Sequence, residues 1–202
     1  DDGFQHIRLE RNLDILLVDC SLLFGNGFVL PAGPLREPLS EINRAGKIIL
    51  VNKNPLNSSA DALCESFASE IKERFNKPVF LCRFMPDKIY NIKDLASIST
   101  AVSTVFAFAG VGQPASFFSF IGEKGYKIAG RCVFDDHYSY SEKDIMTLIK
   151  TAKEKHAEAL ITTEKDAVKI KELIRKTNFD IDFYYLKISL DLDTEKILED
   201  IL

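Results

Sequence analysis

Val105-Phe106-Ala107-Phe108-Ala109-Gly110-Val111-Gly112-Gln113-Pro114 passes from an unbroken apolar run through a glycine turn to a proline. An apolar run without polar alternation suits a strand covered on both faces. Glycine lets the chain turn tightly, and proline is favoured in a helix's first turn, where its missing N–H has no partner to lose. The stretch predicts strand, turn and helix in succession, the helix reaching about Glu123.

Working outward, the same alternation repeats. A strand is expected near Tyr126 to Phe134, then a helix from Ser141 to about His156 with Ile145, Leu148, Ile149 and Ala152 on one face. The strand Ala159 to Thr163, the helix Glu164 to about Lys176, the strand Ile181 to Ile188 and a closing helix from about Asp193 follow. Upstream, Leu13 to Asp19 and Lys47 to Asn52 read as strands covered on both faces, and Pro78 to Phe84 as a third. Leu63, Phe67, Ile71 and Phe75 recur at helical spacing, predicting a helix from Ser58 to Phe75 that Ser58 or Ser59 could cap. From Met85 to Thr104 the periodicity fades, so this stretch is expected to connect two halves. Strands alternating with helices of this length imply βαβ units, hence an α/β fold of largely parallel sheets in α/β/α layers.

The 202 residues are 46% hydrophobic and 28% charged, a globular composition long enough to bury a core. No apolar run approaches the roughly 18 residues of a membrane span. Lysine and arginine number 26 against 30 acidic residues, a net charge of -4, which argues against nucleic acid held by bulk charge. The four cysteines form no CxxC pair and have no histidine at zinc-ligand spacing, pointing to a reducing compartment.

Five segments bear on possible chemistry. Asp1-Asp2-Gly3-Phe4-Gln5-His6 gathers carboxylates that can hold Mg2+, an amide and an imidazole, although a solvated terminus also explains the acidic pair. The loop Phe24 to Pro38 holds three glycines and three prolines, which forbid regular helix or central strand. Within it Arg36 sits between prolines, and its fork suits phosphate oxygens; Glu37 could orient it or join a metal shell, or the two could be a plain surface pair. Asp135-Asp136-His137-Tyr138 follows a strand end, where ligands gather in α/β sheets, and Asp136 with His137 is a possible proton-handling pair, as a simple turn also is. Gly110 to Pro114 lacks the third glycine of a dinucleotide turn, since position 115 is alanine, and Thr162-Thr163-Glu164-Lys165-Asp166 is explained by helix capping.

In their order these segments resemble the tetraacyldisaccharide 4'-kinase family of lipid A biosynthesis. The resemblance rests on Asp1 to His6, Leu13 to Asp19, Phe24 to Pro38, Phe106 to Pro114, Phe134 to His137 and Thr162 to Lys169. It implies a P-loop-type kinase that moves the γ-phosphate of ATP to the 4'-hydroxyl of a tetraacyldisaccharide 1-phosphate at the cytoplasmic face of the inner membrane. Residues 1–90 would be the C-terminal part of a nucleotide-binding core with a linker strand, and 91–202 a smaller α/β domain. By resemblance Asp1, Asp2, Arg36 and Glu37 lie near Mg-ATP, with Asp2 and Glu37 at the metal. His6 lies in the active site, and His137, beside Asp136, supports the aspartate that activates the sugar hydroxyl. Tyr138 stands where the family usually has a second histidine. The family's membrane-contacting helix, phosphate loop and catalytic aspartate have no counterpart here, and no G-x-x-x-x-G-K-[ST] occurs. The expectation is a soluble C-terminal portion, inactive alone and reaching the membrane through the part not included. A Rossmann-like regulatory module, or a metal-dependent hydrolase using Asp1, Asp2, Asp136 and His137, are the rival readings.

Overall fold

The computed structural model describes residues 3–96, 102–177 and 179–199. In chain order the elements are β1 (Ile15–Asp19), β2 (Lys47–Asn52), α1 (Ser58–Phe75), β3 (Val79–Asn91), β4 (Thr104–Ala109), α2 (Pro114–Glu123), β5 (Lys127–Val133), α3 (Glu142–Glu154), β6 (Ala159–Thr163), α4 (Glu164–Lys176), β7 (Asp182–Asp191) and α5 (Thr194–Leu198), with short 3-10 turns at Gly3–Gln5 and Leu39–Arg44. They form two compact units. One comprises the chain up to Phe84 and the return from Leu190; the other is Met85–Ser189. The sequence places all of 91–202 in the second half, whereas the segment from Leu190 belongs to the first unit. Its anchor is Ile197, which packs with Ile49, Val51 and Cys82, while the buried Lys47 ammonium donates to the Ile197 carbonyl. A short helix with one buried apolar residue leaves little periodic signal to read.

In the first unit β1, β2 and β3 run parallel, with Ile15 opposite Lys47 and Ile48 opposite Val79. All six residues of β2 are buried, as its unbroken aliphatic run predicts. β1 departs from the expectation of cover on both faces: Leu17 is 64% exposed, and among the described residues the strand pairs with β2 alone. The α1 bounds match the periodicity, but its buried stripe is Cys64, Phe67 and Ile71, with Leu63 exposed. Steps of four residues drift by about 40° each on a helix of 3.6 residues per turn, so a strict four-residue series leaves the core face. The cap is Asn57 rather than Ser58 or Ser59; its side-chain oxygen accepts from Ser59 N at 3.1 Å and Ala60 N at 3.2 Å.

In the second unit the strand order is β3-β7-β6-β4-β5, and the β7·β6, β6·β4 and β4·β5 pairs are parallel. Met85 to Asn91, expected to be connector, is the second half of β3. Ile92 N donates to Phe183 O, Tyr90 lies against Tyr185, and Ser189 Oγ donates to Met85 O. One index rises as the other falls, so β3 and β7 run antiparallel. Phe106, Phe108, Ile145, Leu160, Ile170 and Phe183 anchor the core. Ser141 and Asp144 form a reciprocal capping box on α3, and Thr163 caps α4 by accepting from Asp166 N at 3.1 Å.

Candidate functional site

In parallel α/β sheets the carboxyl ends of the strands collect ligand-binding groups, because loops there converge with helix N-termini. Polar clusters stand at this edge in both units.

In the first unit a cavity of about 590 Å³ is lined by β1 and the loop after it, and by Phe4, Gln5, Arg36, Glu37 and Asp19. Asn26 ties the loop to itself, donating through Nδ2 to Ala32 O at 2.8 Å and accepting from Phe28 N at 3.2 Å. Arg36 is exposed at this wall. Glu37 is half-buried and bonded to Arg44; Arg44 also pairs with Glu41 at 3.2 Å and lies 4.5 Å over the Phe4 ring. His6 is exposed, does not line this cavity, and has its backbone oxygen bonded by Arg11 Nη1 at 3.0 Å. Asp1 and Asp2 lie outside the described residues.

Beyond those, Asp19 lines the cavity at the end of β1, a position that marks it in the sequence. Burial opposes its ionisation, but Lys53 Nζ at 2.6 Å and the Ser21 N–H and hydroxyl outweigh this, holding the carboxyl below the usual range. Nearby, Arg83 bonds Asp61 through Nε at 2.7 Å and Nη2 at 3.2 Å, and this keeps Asp61 below the usual range too, with Asn52 adding a further donor at 2.9 Å. Mg2+ binding needs several free oxygen ligands. Glu37, Asp19 and Asp61 are each engaged by a cation, and among the described residues no group of three or more His, Cys, Asp or Glu side chains is placed to hold a metal ion. The described residues therefore do not by themselves make a magnesium site.

In the second unit Asp136 and His137 follow β5. His137 takes a left-handed backbone, φ 61°, its N–H donates to Asp136 Oδ1 at 3.0 Å, and its Nε2 stands 3.9 Å from Asp136 Oδ2. The imidazole is 89% exposed, so its nitrogens are open to a ligand. Two turns meet here: a Cβ on Gly112 would lie 3.3 Å from Asp136 Oδ2, and one on Gly110 would lie 3.2 Å from Asp135 O and 2.9 Å from the Tyr140 hydroxyl. Sequence reasoning treated Asp166 as a capping residue only. It is completely buried, and its carboxylate accepts from Gly110 N at 2.8 Å, Thr163 Oγ1 at 2.8 Å and Lys169 Nζ at 3.0 Å. Burial and the neighbouring Asp166 charge push the Tyr140 phenol up from its ordinary value.

Fold and site together define an α/β protein whose ionisable groups gather at the carboxyl ends of parallel strands, where ligands of many kinds bind in such sheets. A family model for tetraacyldisaccharide-1-P 4'-kinase matches residues 1–202, and the chain belongs to that family. A tetraacyldisaccharide 4'-kinase of Syntrophobacter fumaroxidans is 35% identical over 91% of the chain and 49% of its own length. One of Chlorobium limicola is 35% identical over 100% of the chain and 57% of its own length. The crystal structure of "apo" form LpxK from Aquifex aeolicus in complex with ATP superposes with a TM-score of 0.59 at 25% identity, over 99% of this chain and 54% of that one. The chain thus spans about half the length of the relatives it matches. Among the described residues no helix is long and apolar enough to cross a membrane.

Proposed function

We propose that this chain carries part of the active site of a lipid A 4'-kinase, which transfers the γ-phosphoryl group of ATP to the 4'-hydroxyl of a tetraacyldisaccharide 1-phosphate. The observation that carries the reading is the family match over all 202 residues, joined to an exposed Asp136–His137 pair at a strand end. The two rival readings, a regulatory module and a metal-dependent hydrolase, account for neither the match nor the ordered motifs.

Phosphoryl transfer needs little covalent chemistry from the protein and depends on positioning and charge stabilisation. Arg36, at the cavity wall of the first unit, contacts phosphate oxygens in this reading, and Glu37 holds its loop through Arg44. In this reading His137, with Asp136 beside it at 3.9 Å, supports the aspartate that activates the attacking sugar hydroxyl. His6, Asp1 and Asp2 belong to the same reading as active-site and nucleotide-side residues, with Asp2 toward Mg2+ and Glu37 held instead by Arg44. The chain up to Phe84 with the return from Leu190 acts as part of the nucleotide core, and Met85–Ser189 as a smaller domain. The enzyme works peripherally at the cytoplasmic face of the inner membrane, and its membrane contact comes from polypeptide outside these residues.

No glycine-rich phosphate loop occurs in the chain, so the 202 residues alone are expected not to phosphorylate the acceptor. ATP-dependent transfer by the purified chain would overturn that part. In the complete kinase His137→Ala is expected to lower kcat more than it weakens ATP binding. Loss of nucleotide affinity with turnover at saturation intact would remove His137 from the acceptor side.

A further inference from the structure

We propose that Asp166 is a positioning residue for the Asp136–His137 turn, an inference that rests on the kinase reading for its catalytic consequence but not for its geometry. A helix cap needs a local bond, and Asp166 has one with Thr163. Its carboxylate also reaches across 56 residues to bind Gly110 N at 2.8 Å, and Lys169 Nζ at 3.0 Å fixes the other oxygen. A completely buried carboxylate is costly to desolvate, and three donors offset that cost only while the β4–α2 turn stays where it is.

That turn is the wall against which the next one is built. The Gly110 Cα faces the Asp135 carbonyl, which accepts from Tyr138 N at 3.1 Å and so closes the turn holding Asp136 and His137. Gly112 lies against the Asp136 carboxylate, and Phe134 N donates to Ala109 O at 2.9 Å just before both turns begin. The left-handed His137 backbone, unfavourable for a residue with a side chain, is held by these neighbours. Asp166 touches no substrate in this scheme; it acts through Gly110 on where His137 stands. Positioning of this kind matters because displacements of about 1 Å can cost on the order of a hundredfold in rate.

The test uses Asp166→Ala and the milder Asp166→Asn, which keeps one carbonyl acceptor. In the 202-residue chain, amide exchange at Gly110, Gly112 and His137 is expected to rise roughly tenfold or more in Asp166→Ala while the α1 and α3 amides hold. In the complete kinase Asp166→Ala is expected to lower kcat roughly tenfold or more with KM for ATP unchanged, to add little to His137→Ala, and to be partly rescued in Asp166→Asn. If Asp166→Ala does not fold, Asp166→Asn carries both arms. Unchanged exchange in the two turns, or losses that add fully with His137→Ala, would overturn the proposal. A wild-type protein without ATP-dependent transfer would instead sink the kinase reading, and the exchange arm would still decide whether Asp166 holds the turn.

Discussion

Gly110→Ala puts a methyl carbon 2.9 Å from the Tyr140 hydroxyl, 3.2 Å from Asp135 O and 3.3 Å from Asp166 Oδ1. A Cβ closer than 3.0 Å to another heavy atom is essentially never tolerated, so the Tyr140 hydroxyl or the turn must yield. Tyr140 cannot simply retreat, because its ring packs edge-on at 5.8 Å from Phe108, 5.0 Å from Phe134 and 5.2 Å from Tyr138. Overpacking of this kind costs about 1–3 kcal/mol. The alternative is for the turn to open and give up the Gly110 N–H bond to a buried carboxylate, worth about 1.5–3 kcal/mol. The molecule takes the cheaper route, and the stiffer unfolded chain returns at most about 1 kcal/mol. The net loss is about 1–2 kcal/mol, which for a chain of this size lowers Tm by roughly 2–8 °C. With two compact units, a single melting curve can blend two transitions, so native-state amide exchange in α3 and β6 is the better assay. Gly112→Ala is the internal control: its methyl meets only the half-exposed Asp136 carboxylate, at 3.3 Å, a contact that a shift of a few tenths of an ångström relieves, and is expected to cost under about 0.5 kcal/mol. Equal effects from the two substitutions, or a Gly110→Ala protein as stable as the parent, would refute the close-packed turn.

Gly33→Ala would bring a Cβ to 2.0 Å from Asn26 Oδ1 and 2.3 Å from Phe28 O, so protease sensitivity between Phe24 and Pro38 is expected to rise sharply while β2 and α1 amides stay protected. Ser141→Ala removes one arm of the α3 capping box and is expected to cost about 1 kcal/mol, read as accelerated exchange in the first turn of α3. Arg83→Met removes the main cause of the lowered Asp61 pKa. A depressed folded-state pKa gives stability that is present above the unfolded carboxylate value and is lost as pH falls through the folded one. In Arg83→Met the Asp61 carboxyl should titrate higher by NMR, and the acid-side fall in stability should be shallower; an unmoved Asp61 titration would count against the ion pair.

What could be read from the sequence tracks how local its cause is. β2 and α4 match their expected bounds because an unbroken apolar run and a capped amphipathic period are local signals. The second half of β3 was not legible: Pro86, Asp87 and Lys88 look like a connector, and only pairing with β7, about a hundred residues later, makes them strand. Exposure of Leu17 was equally hidden, since an aliphatic run does not show what packs on each face of its strand. The site divides in the same way. Asp136 and His137 stand out as types in sequence, whereas Asp166 shows only its capping chemistry until β4 and β6 are paired and Gly110 arrives beside it.

The charges of the two strand-end clusters differ in a way that bears on their proposed roles. In the first unit Asp19, Glu37 and Asp61 are locked to Lys53, Arg44 and Arg83, and two of these carboxyls are held below their usual range. Groups tied up in ion pairs suit the holding of a loop and its Arg36 in place. In the second unit Asp136 and His137 are mostly exposed, and their separation of 3.9 Å is too long for a hydrogen bond. The proposed acceptor-side role of Asp136 and His137 therefore falls on groups open to an incoming ligand, and the proposed phosphate-side role of Arg36 on a loop whose Glu37 is already held by Arg44.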